Sequence, residues 1–234
     1  MDSFPSVAIV IAARNEEAHL ESAIDRLLAQ DYQGEIQIVI AVAPSDDRTE
    51  TIAAELAQRH LHLSLVANPS GKTPVALNSA IGASQSEIVI RVDGHALIPV
   101  DYVRIGVETL NRSGADNVGG IMAAVGVSPI QKAIATAMTS KFGVGGAAFH
   151  VGGTQGEALT VYLGCFRRSA LERVGGYDES MVRAQDWEMN HRIRESGGKI
   201  WFTPDMVVPY RPRANLRALA SQYFGYGTWR REVA

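Results

Sequence analysis

Asp93 and His95 are the first residues whose types and spacing suggest chemistry. They lie two positions apart in Asp93-Gly94-His95, directly after the apolar run 88–92. A carboxylate and an imidazole at the end of a strand can face one divalent cation, and the imidazole favours manganese-like ions over magnesium. An acidic turn after a strand accounts for the same residues without a metal. From these residues alone both interpretations stay open.

Asp186 is a second candidate, in Gln185-Asp186-Trp187-Glu188 at the predicted start of a helix. Asp often occupies such a position as an N-cap, because its side chain accepts a hydrogen bond from the free backbone N–H groups. The alternative is a general base that removes the proton from an attacking hydroxyl group. A capping carboxylate keeps a second oxygen, so one residue can fill both roles.

Lys72 follows Gly71 where the next helix is predicted to begin. The free N–H groups at a helix start attract phosphate, and a lysine there can add its charge. A solvated surface lysine is the other interpretation. The spacing of a Walker loop is absent, so this segment does not indicate an ATPase-type site.

The elements that must position these residues alternate regularly in the first half of the chain. Continuous apolar runs predict buried strands at 7–12, 36–42, 63–67 and 87–92. Helices are predicted after Asn15, which we expect to cap a helix with an apolar stripe of Leu20, Ile24, Leu27 and Leu28, and at 49–59 and 73–83. Such strand–helix units predict a doubly wound parallel sheet, whose ligands bind outside the carboxyl ends of the strands.

The second half of the chain is less regular. Helices are predicted at 100–111, 130–140, 169–174 and 186–196, and strands at 117–125, 158–163, 200–203 and 207–210. The segment 142–156 holds six glycines, which predicts a mobile loop that closes over a ligand. No repeat or linker is evident, so we expect one domain spanning 1–234.

Composition narrows the possible functions. The 234 residues carry a net charge of −3, and no base-reading or zinc-finger pattern is present, which argues against a nucleic-acid partner. No apolar run reaches the 18 residues of a membrane span, and the N-terminus lacks the basic region of a signal peptide. The single cysteine, Cys165, fits a reducing compartment.

The C-terminal segment 211–234 predicts an amphipathic helix from residue 215. Five arginines and one acidic residue flank its apolar face. Such a helix can lie in a membrane interface, or it can pack on the domain. The sequence leaves both alternatives open.

Five short motifs occur in order along residues 6–232 and together resemble the family 2 glycosyltransferases with the GT-A fold, and within them the ExoA-like succinoglycan-type enzymes. Each motif is weak alone, but their order and spacing are specific. The motifs are Ala13-Arg14-Asn15-Glu16, Gly71-Lys72 with Asn78, Asp93-Gly94-His95, Arg167-Arg168 with Gly175-Gly176-Tyr177-Asp178, and Gln185-Asp186-Trp187-Glu188.

This resemblance implies an inverting, metal-dependent transfer of a sugar from a nucleoside-diphosphate sugar to a hydroxyl group, in polysaccharide or glycolipid synthesis. The acceptor would be a sugar or a lipid-linked molecule. The GT-A fold is a doubly wound, mostly parallel sheet with helices on both faces and a smaller acceptor-side region. Residues 1–112 would form the nucleotide-sugar half and residues 113–210 the acceptor half. The C-terminal segment would contact the inner face of the cell membrane from the cytoplasm.

The resemblance also assigns roles to individual residues. Asp186 falls on the catalytic base, and Asp93 and His95 fall on the site of a divalent cation, Mn²⁺ or Mg²⁺. The nucleotide-sugar contacts would come from Ala13, Arg14, Glu16, Lys72, Asn78 and Asp93. Gly164 and Trp187 would border the acceptor.

Two features depart from the family pattern. The acid pair usual after the second strand is replaced by Val42-Ala43-Pro44-Ser45, and Asp47 aligns with a later acid that can also be a cap. The donor base is therefore open among UDP, which we favour, GDP and dTDP. The chain also ends at Ala234, where similar proteins continue into the membrane, which favours a shortened piece of a longer protein.

Three alternatives compete with this prediction. A sugar nucleotidyltransferase needs a glycine- and arginine-rich loop after the first strand, and a dinucleotide oxidoreductase needs Gly-x-Gly-x-x-Gly there. The segment 13–16 contains neither. A non-catalytic sugar-nucleotide-binding or membrane-docking module would explain the missing acid pair, but it would not require both Asp93 and Asp186.

Overall fold

An eight-stranded sheet runs through the computed structural model, which describes residues 4–140, 147–181, 183–213, 215, 217, 219–220 and 223–224. The strands are β1 (Val7–Ala13), β2 (Ile36–Val42), β3 (Leu63–Ala67), β4 (Ile88–Asp93), β5 (Asn117–Ala124), β6 (Gly156–Glu157), β7 (Tyr162–Arg167) and β8 (Ile200–Tyr210). The helices are α1 (Leu20–Leu28), α2 (Thr49–Arg59), α3 (Thr73–Gly82), α4 (Tyr102–Ser113), α5 (Pro129–Met138), α6 (Ala148–Val151), α7 (Arg168–Arg173) and α8 (Gln185–Glu195).

The strand order is β3-β2-β1-β4-β7-β5-β8-β6. Strands β3, β2, β1 and β4 are parallel neighbours, and β5 is parallel to β8. Strand β7 is antiparallel to both β4 and β5, and β6 is antiparallel to β8. The prediction of a doubly wound, mostly parallel sheet is therefore confirmed. The same sheet joins strands from residues 1–112 and from residues 113–210.

The two faces of the sheet bury separate cores. Ile88, Ile90 and Val92 of β4 pack in the core that includes α1, α2 and α4. Val89 packs on the other face, with α3, α7 and α8. Because side chains alternate along a strand, Arg91 and Asp93 share the face of Val89. These two charged residues therefore lie on the side of the sheet that carries α8.

The start of α1 differs from the prediction. The helix begins at Leu20 with His19 as N-cap, and Asn15 has a left-handed backbone with φ 55°. Asn15 does not cap the helix, because its side chain instead bonds Asp46 at the end of β2. Leu28 was also predicted on the buried stripe but is 40% exposed.

In the second half, the predicted strand at 158–163 was wrong in its bounds, since β7 spans Tyr162–Arg167. The strand continues through Gly164. A Cβ at this position would lie 2.5 Å from Asn117 Oδ1, so glycine allows β7 to lie close to β5. The predicted strands 200–203 and 207–210 form one strand, β8, with an irregularity opposite Gly119 and Ile121.

Within the described part of the predicted loop 142–156, Ala148–Val151 form the short helix α6 and Gly156 begins β6, whereas a loop was predicted throughout. Residues 142–146 of that loop lie outside the described residues, as does most of the predicted helix from residue 215. Within the described part of the chain, none of the helices has the length and apolar character needed to cross a bilayer.

Candidate active site

A cleft of about 240 Å³ opens at the carboxyl ends of β1 and β4. This is the edge where a doubly wound sheet binds its ligands. Residues that follow β1, β2 and β4 line it together with the starts of α3 and α8. Among them are Ala13, Arg14, Glu16, Asp93, His95 and Gln185.

Arg91 forms the floor of this cleft and joins the two carboxylates singled out from the sequence. Its Nη2 lies 3.0 Å from Asp93 Oδ1, and its Nη1 contacts Asp186 Oδ2. The Arg91 side chain is 10% exposed, whereas those of Asp93 and Asp186 are 27% and 30% exposed. One buried guanidinium therefore brings the end of β4 and the start of α8 to the same site.

A buried charge is tolerated only when it is paired. Burial by itself lowers the pKa of Arg91, but the carboxylates of Asp186 and Asp93 raise that pKa well above its ordinary value. From the sequence, Arg91 was predicted only as part of an apolar strand. An arginine inside an otherwise apolar strand was the available signal, because arginine is almost never fully buried unless it has a partner.

Asp186 is not the N-cap of α8. Ala184 holds that position with a left-handed φ of 58°, and Asp186 is the second residue of the helix. Its carboxylate points instead to Arg91 and to Tyr177, whose hydroxyl lies 3.4 Å from Asp186 Oδ1. Tyr177 is buried, and burial together with the Asp186 charge raises the pKa of its hydroxyl. The cap interpretation was wrong, because Ala184 is the N-cap and the Asp186 side chain contacts Arg91 and Tyr177 instead.

Asn78 reaches the site indirectly. Its side-chain amide donates to the Tyr177 carbonyl at 2.8 Å and accepts from the Tyr177 N–H at 2.8 Å. It also donates to Glu179. Asn78 does not line the cleft. It fixes the turn that presents Tyr177 to Asp186, and a nucleotide contact by Asn78 stays a prediction.

Glu16 and His95 form a second charged pair at the mouth of the cleft. His95 Nδ1 lies 2.8 Å from Glu16 Oε1. This hydrogen bond raises the pKa of His95, against a smaller opposing effect of burial. A Cβ at Gly94 would lie 3.1 Å from Glu16 Cγ, so glycine leaves room for the pair. Glu16 thus holds His95 through one ring nitrogen.

Asp93 and His95 are the residues that could hold a cation. Among the described residues, no group of three His, Cys, Asp or Glu side chains is arranged to hold a metal by itself. Asp93 and His95 line the same cleft, and Glu16 orients the imidazole. One carboxylate and one imidazole suit a divalent cation whose remaining ligands come from a substrate diphosphate. The donor set therefore fits a cation shared with the substrate.

The remaining predicted nucleotide contacts divide into two groups. Ala13 and Arg14 line the cleft, with Arg14 Nη1 near Gly71 at the start of α3. Lys72 is exposed and precedes the first residue of α3, but it does not line the cleft itself. Asp47 accepts hydrogen bonds from the backbone N–H and the hydroxyl of Thr49, the first residue of α2, but the N-cap position of that helix is Arg48.

The two predicted acceptor residues lie apart from the cleft lining. Gly164 is buried in β7 against Asn117 and Phe166. Trp187 follows Asp186 on α8 and stacks on His191, with ring centroids 6.0 Å apart and an interplanar angle of 8°. Nothing in this arrangement assigns either residue to an acceptor, so both stay predictions.

The chain is similar in sequence to known proteins along most of its length. The profile described as glycosyltransferase like family 2 matches residues 5–225. The succinoglycan biosynthesis protein ExoA of Rhizobium meliloti (strain 1021) is 37% identical over 227 residues, which cover 96% of this chain and 69% of that protein.

Solved structures show the same fold. The TarS 1–349 structure of S. aureus in complex with UDP has a TM-score of 0.69 at 18% identity, covering 88% of this chain and 60% of that one. The mannosyltransferase PcManGT from Pyrobaculum calidifontis, in complex with GDP-Man and Mn²⁺, has a TM-score of 0.71 at 22% identity, covering 93% and 62%. The chain thus spans about three fifths of the length of these structures.

Proposed function

The chain belongs to the glycosyltransferase-like family 2 and has the GT-A fold, and from this premise we propose the reaction that its cleft carries out. It is a glycosyltransferase, and we propose that it moves a sugar from a nucleoside-diphosphate sugar to an acceptor hydroxyl with inversion. The product would be a polysaccharide or glycolipid. One observation carries this proposal: Arg91, which lines the cleft, contacts both Asp93 in the lining and Asp186 directly behind it.

Asp93 and His95 form the donor end of the cleft in this proposal. The mannosyltransferase named above was solved with GDP-Man and Mn²⁺, which supports a divalent cation for this chain as well. A cation held by Asp93 and His95 would offset the charge that develops on the departing diphosphate. Arg14 and the free N–H groups at the start of α3 add positive potential on the same side.

Asp186 is the general base in this proposal. Its carboxylate contacts Arg91 on one oxygen, and a carboxylate is a group that can take the proton of an attacking hydroxyl. The Oδ1 atom is the available oxygen, because its contact with Tyr177 is long at 3.4 Å. The acceptor oxygen would form a bond to the anomeric carbon as the bond from that carbon to the diphosphate breaks. The acceptor proton passes to Asp186, and the nucleoside diphosphate leaves.

The donor nucleotide is a finer question. TarS was solved with UDP and with UDP-GlcNAc, and PcManGT with GDP-Man. We propose a UDP-sugar donor, as predicted from the sequence, with GDP and dTDP as the alternatives. A cytoplasmic location and a peripheral membrane contact through the C-terminal segment stay predictions, as do the limits of the two halves of the domain.

Release of nucleoside diphosphate tests the proposal. The chain is incubated with UDP-glucose, UDP-GlcNAc, GDP-mannose or dTDP-glucose, with and without Mn²⁺, and water serves as a slow acceptor. We expect release from one nucleotide class, and only with the cation. Nucleotide binding without release from any donor would instead identify a non-catalytic binding module.

A further inference from the structure

Arg91 lines the cleft and contacts two carboxylates, but it is in none of the five sequence motifs. We propose that Arg91 is a positioning residue that fixes the distance and orientation between Asp186 and Asp93. The inference rests on the function proposed above, in which Asp93 helps to hold the cation at the donor diphosphate and Asp186 takes the proton of the acceptor hydroxyl.

The backbone around Arg91 is held firmly. Arg91 lies in β4 and pairs with Val10 of β1, and β4 is the inner strand at which the parallel part of the sheet meets antiparallel β7. The neighbouring residues Ile90 and Val92 are buried on the opposite face. Arg91 therefore extends from a rigid base toward α8, and its guanidinium position is set by the sheet.

Asp186 depends on this contact more than Asp93 does. Asp93 is part of β4 itself, and its backbone is paired with Ala12. Asp186 lies in the first turn of α8, directly after Gln185 and the left-handed Ala184. Its other contact in the described structure is the 3.4 Å hydrogen bond from Tyr177. The ion pair with Arg91 therefore links the Asp186 carboxylate to the strand that carries Asp93.

The geometry requires an arginine. Two different nitrogens of one planar group contact two carboxylates, Nη2 with Asp93 and Nη1 with Asp186. A lysine keeps the charge but has a single nitrogen on a flexible stem, and it cannot reproduce a fixed fork. Arg91→Lys therefore separates the positioning role from the mere presence of a positive charge.

Arg168 provides a matched control. Its guanidinium is also partly buried, but its partners are backbone carbonyls, with Nε donating to Ser86 at 2.6 Å and Nη1 to Ile81 at 3.3 Å. No carboxylate is among these contacts. Arg168→Lys should therefore report the cost of altering an arginine in the fold without touching the cleft.

The experiment compares the wild type, Arg91→Lys, Asp186→Asn, the double variant of these two, and Arg168→Lys. Thermal unfolding is measured for all five. Donor turnover is measured as nucleoside diphosphate release with Mn²⁺ from the donor that the wild type uses best. We expect Arg91→Lys to lower kcat by about 10²-fold, the effect of misplacing a reacting group by about 1 Å, while KM for the donor changes much less. Arg168→Lys should keep wild-type turnover.

The double variant distinguishes positioning from other roles. If Arg91 acts by placing Asp186, Arg91→Lys should cost little or nothing further once Asp186 is Asn. Wild-type kcat in Arg91→Lys would overturn the inference, as would a full additional loss in the double variant or an equal loss in Arg168→Lys. Wild-type turnover in Asp186→Asn, or no turnover in the wild type with any donor, would instead overturn the proposed function, and the inference with it.

Discussion

The cleft contains two pairings of carboxylate with cationic side chain, and they differ in burial. At the floor, Arg91 is 10% exposed and bridges two carboxylates that come from β4 and α8. At the mouth, His95 is 48% exposed and pairs with Glu16 alone. Screening by water weakens the exposed pair, whereas the buried guanidinium must keep its partners. We therefore expect changes at the floor to be far more damaging than changes at the mouth.

Asp186→Asn should give the largest effect, a loss of roughly 10²–10⁴-fold in turnover, which is the usual contribution of a general base. The amide keeps the shape of the side chain but cannot accept the proton. Steady-state release of nucleoside diphosphate measures the loss. Asp25→Asn, an exposed position of α1 outside the cleft lining, serves as the control and should retain turnover. Normal turnover in Asp186→Asn would show that the Asp186 carboxylate is not the general base of the reaction.

Arg91→Met should lower the free energy of unfolding by roughly 2–3 kcal/mol. Removing one partner of a fully buried ion pair costs about 3–5 kcal/mol, and the partial exposure of Asp93 and Asp186 reduces that value. Urea unfolding measures the change. Arg168→Met, which loses hydrogen bonds to carbonyls only, should cost about 1 kcal/mol. An equal loss of unfolding free energy in the two variants would mean that the contacts of Arg91 with Asp93 and Asp186 stabilise the fold no more than the carbonyl contacts of Arg168 do.

Asn78→Ala should lower kcat by about tenfold and leave nucleotide affinity unchanged. The substitution frees the turn that holds Tyr177, and the contact between Tyr177 and Asp186 is then less well fixed. Kinetics and calorimetric titration of the nucleotide separate the two effects, with Ser79→Ala on the same helix as control. A weakened nucleotide affinity at normal kcat would support a direct nucleotide contact by Asn78.

Glu16→Gln should have the smallest effect, and the effect should depend on pH. The Glu16 bond raises the pKa of His95, so the pair stabilises the fold when His95 is protonated, at low pH, and this contribution is lost as pH rises through the folded-state pKa. The substitution should therefore lower Tm more at pH 6 than at pH 9. Glu17→Gln, which bonds the Arg48 backbone, is the control.

A direct measurement of the His95 pKa sharpens this last prediction. NMR titration of the imidazole in the cation-free protein should give a lower pKa in Glu16→Gln than in the wild type. An unchanged pKa would show that the two side chains do not interact in solution.

The sequence predicted the parallel half of the fold well, because β1, β2 and β4 are mostly buried and leave nearly continuous apolar runs. The bounds of β2, α2 and β3 agree with the structure to the residue. The prediction failed where glycine serves close packing inside a strand, as at Gly164 in β7, where a Cβ would lie 2.5 Å from Asn117 Oδ1. Such contacts join strands distant in the sequence, so no local pattern reports them.

The sequence predicted individual residues of the candidate site, but it did not predict which of them contact one another. Asp93 and Asp186 were identified from their positions after a strand and at a helix start, and the structure brings both to Arg91. Their connection could not be predicted, since it depends on which face of β4 meets α8. The same limit explains Asn78, whose side chain bonds a turn 99 positions further along the chain.

Calorimetric titration of Asp93→Asn and Asp186→Asn with UDP in the presence of Mn²⁺ tests the central claim most directly, with GDP used if UDP does not bind the wild type. The claim is that the two carboxylates belong to one site but act on different groups: Asp93 helps to hold the cation at the donor diphosphate, and Asp186 takes the proton of the acceptor hydroxyl. Asp93→Asn should weaken nucleotide affinity by at least about tenfold, and Asp186→Asn should leave it unchanged. Equal losses in both variants, or a loss confined to Asp186→Asn, would contradict the account.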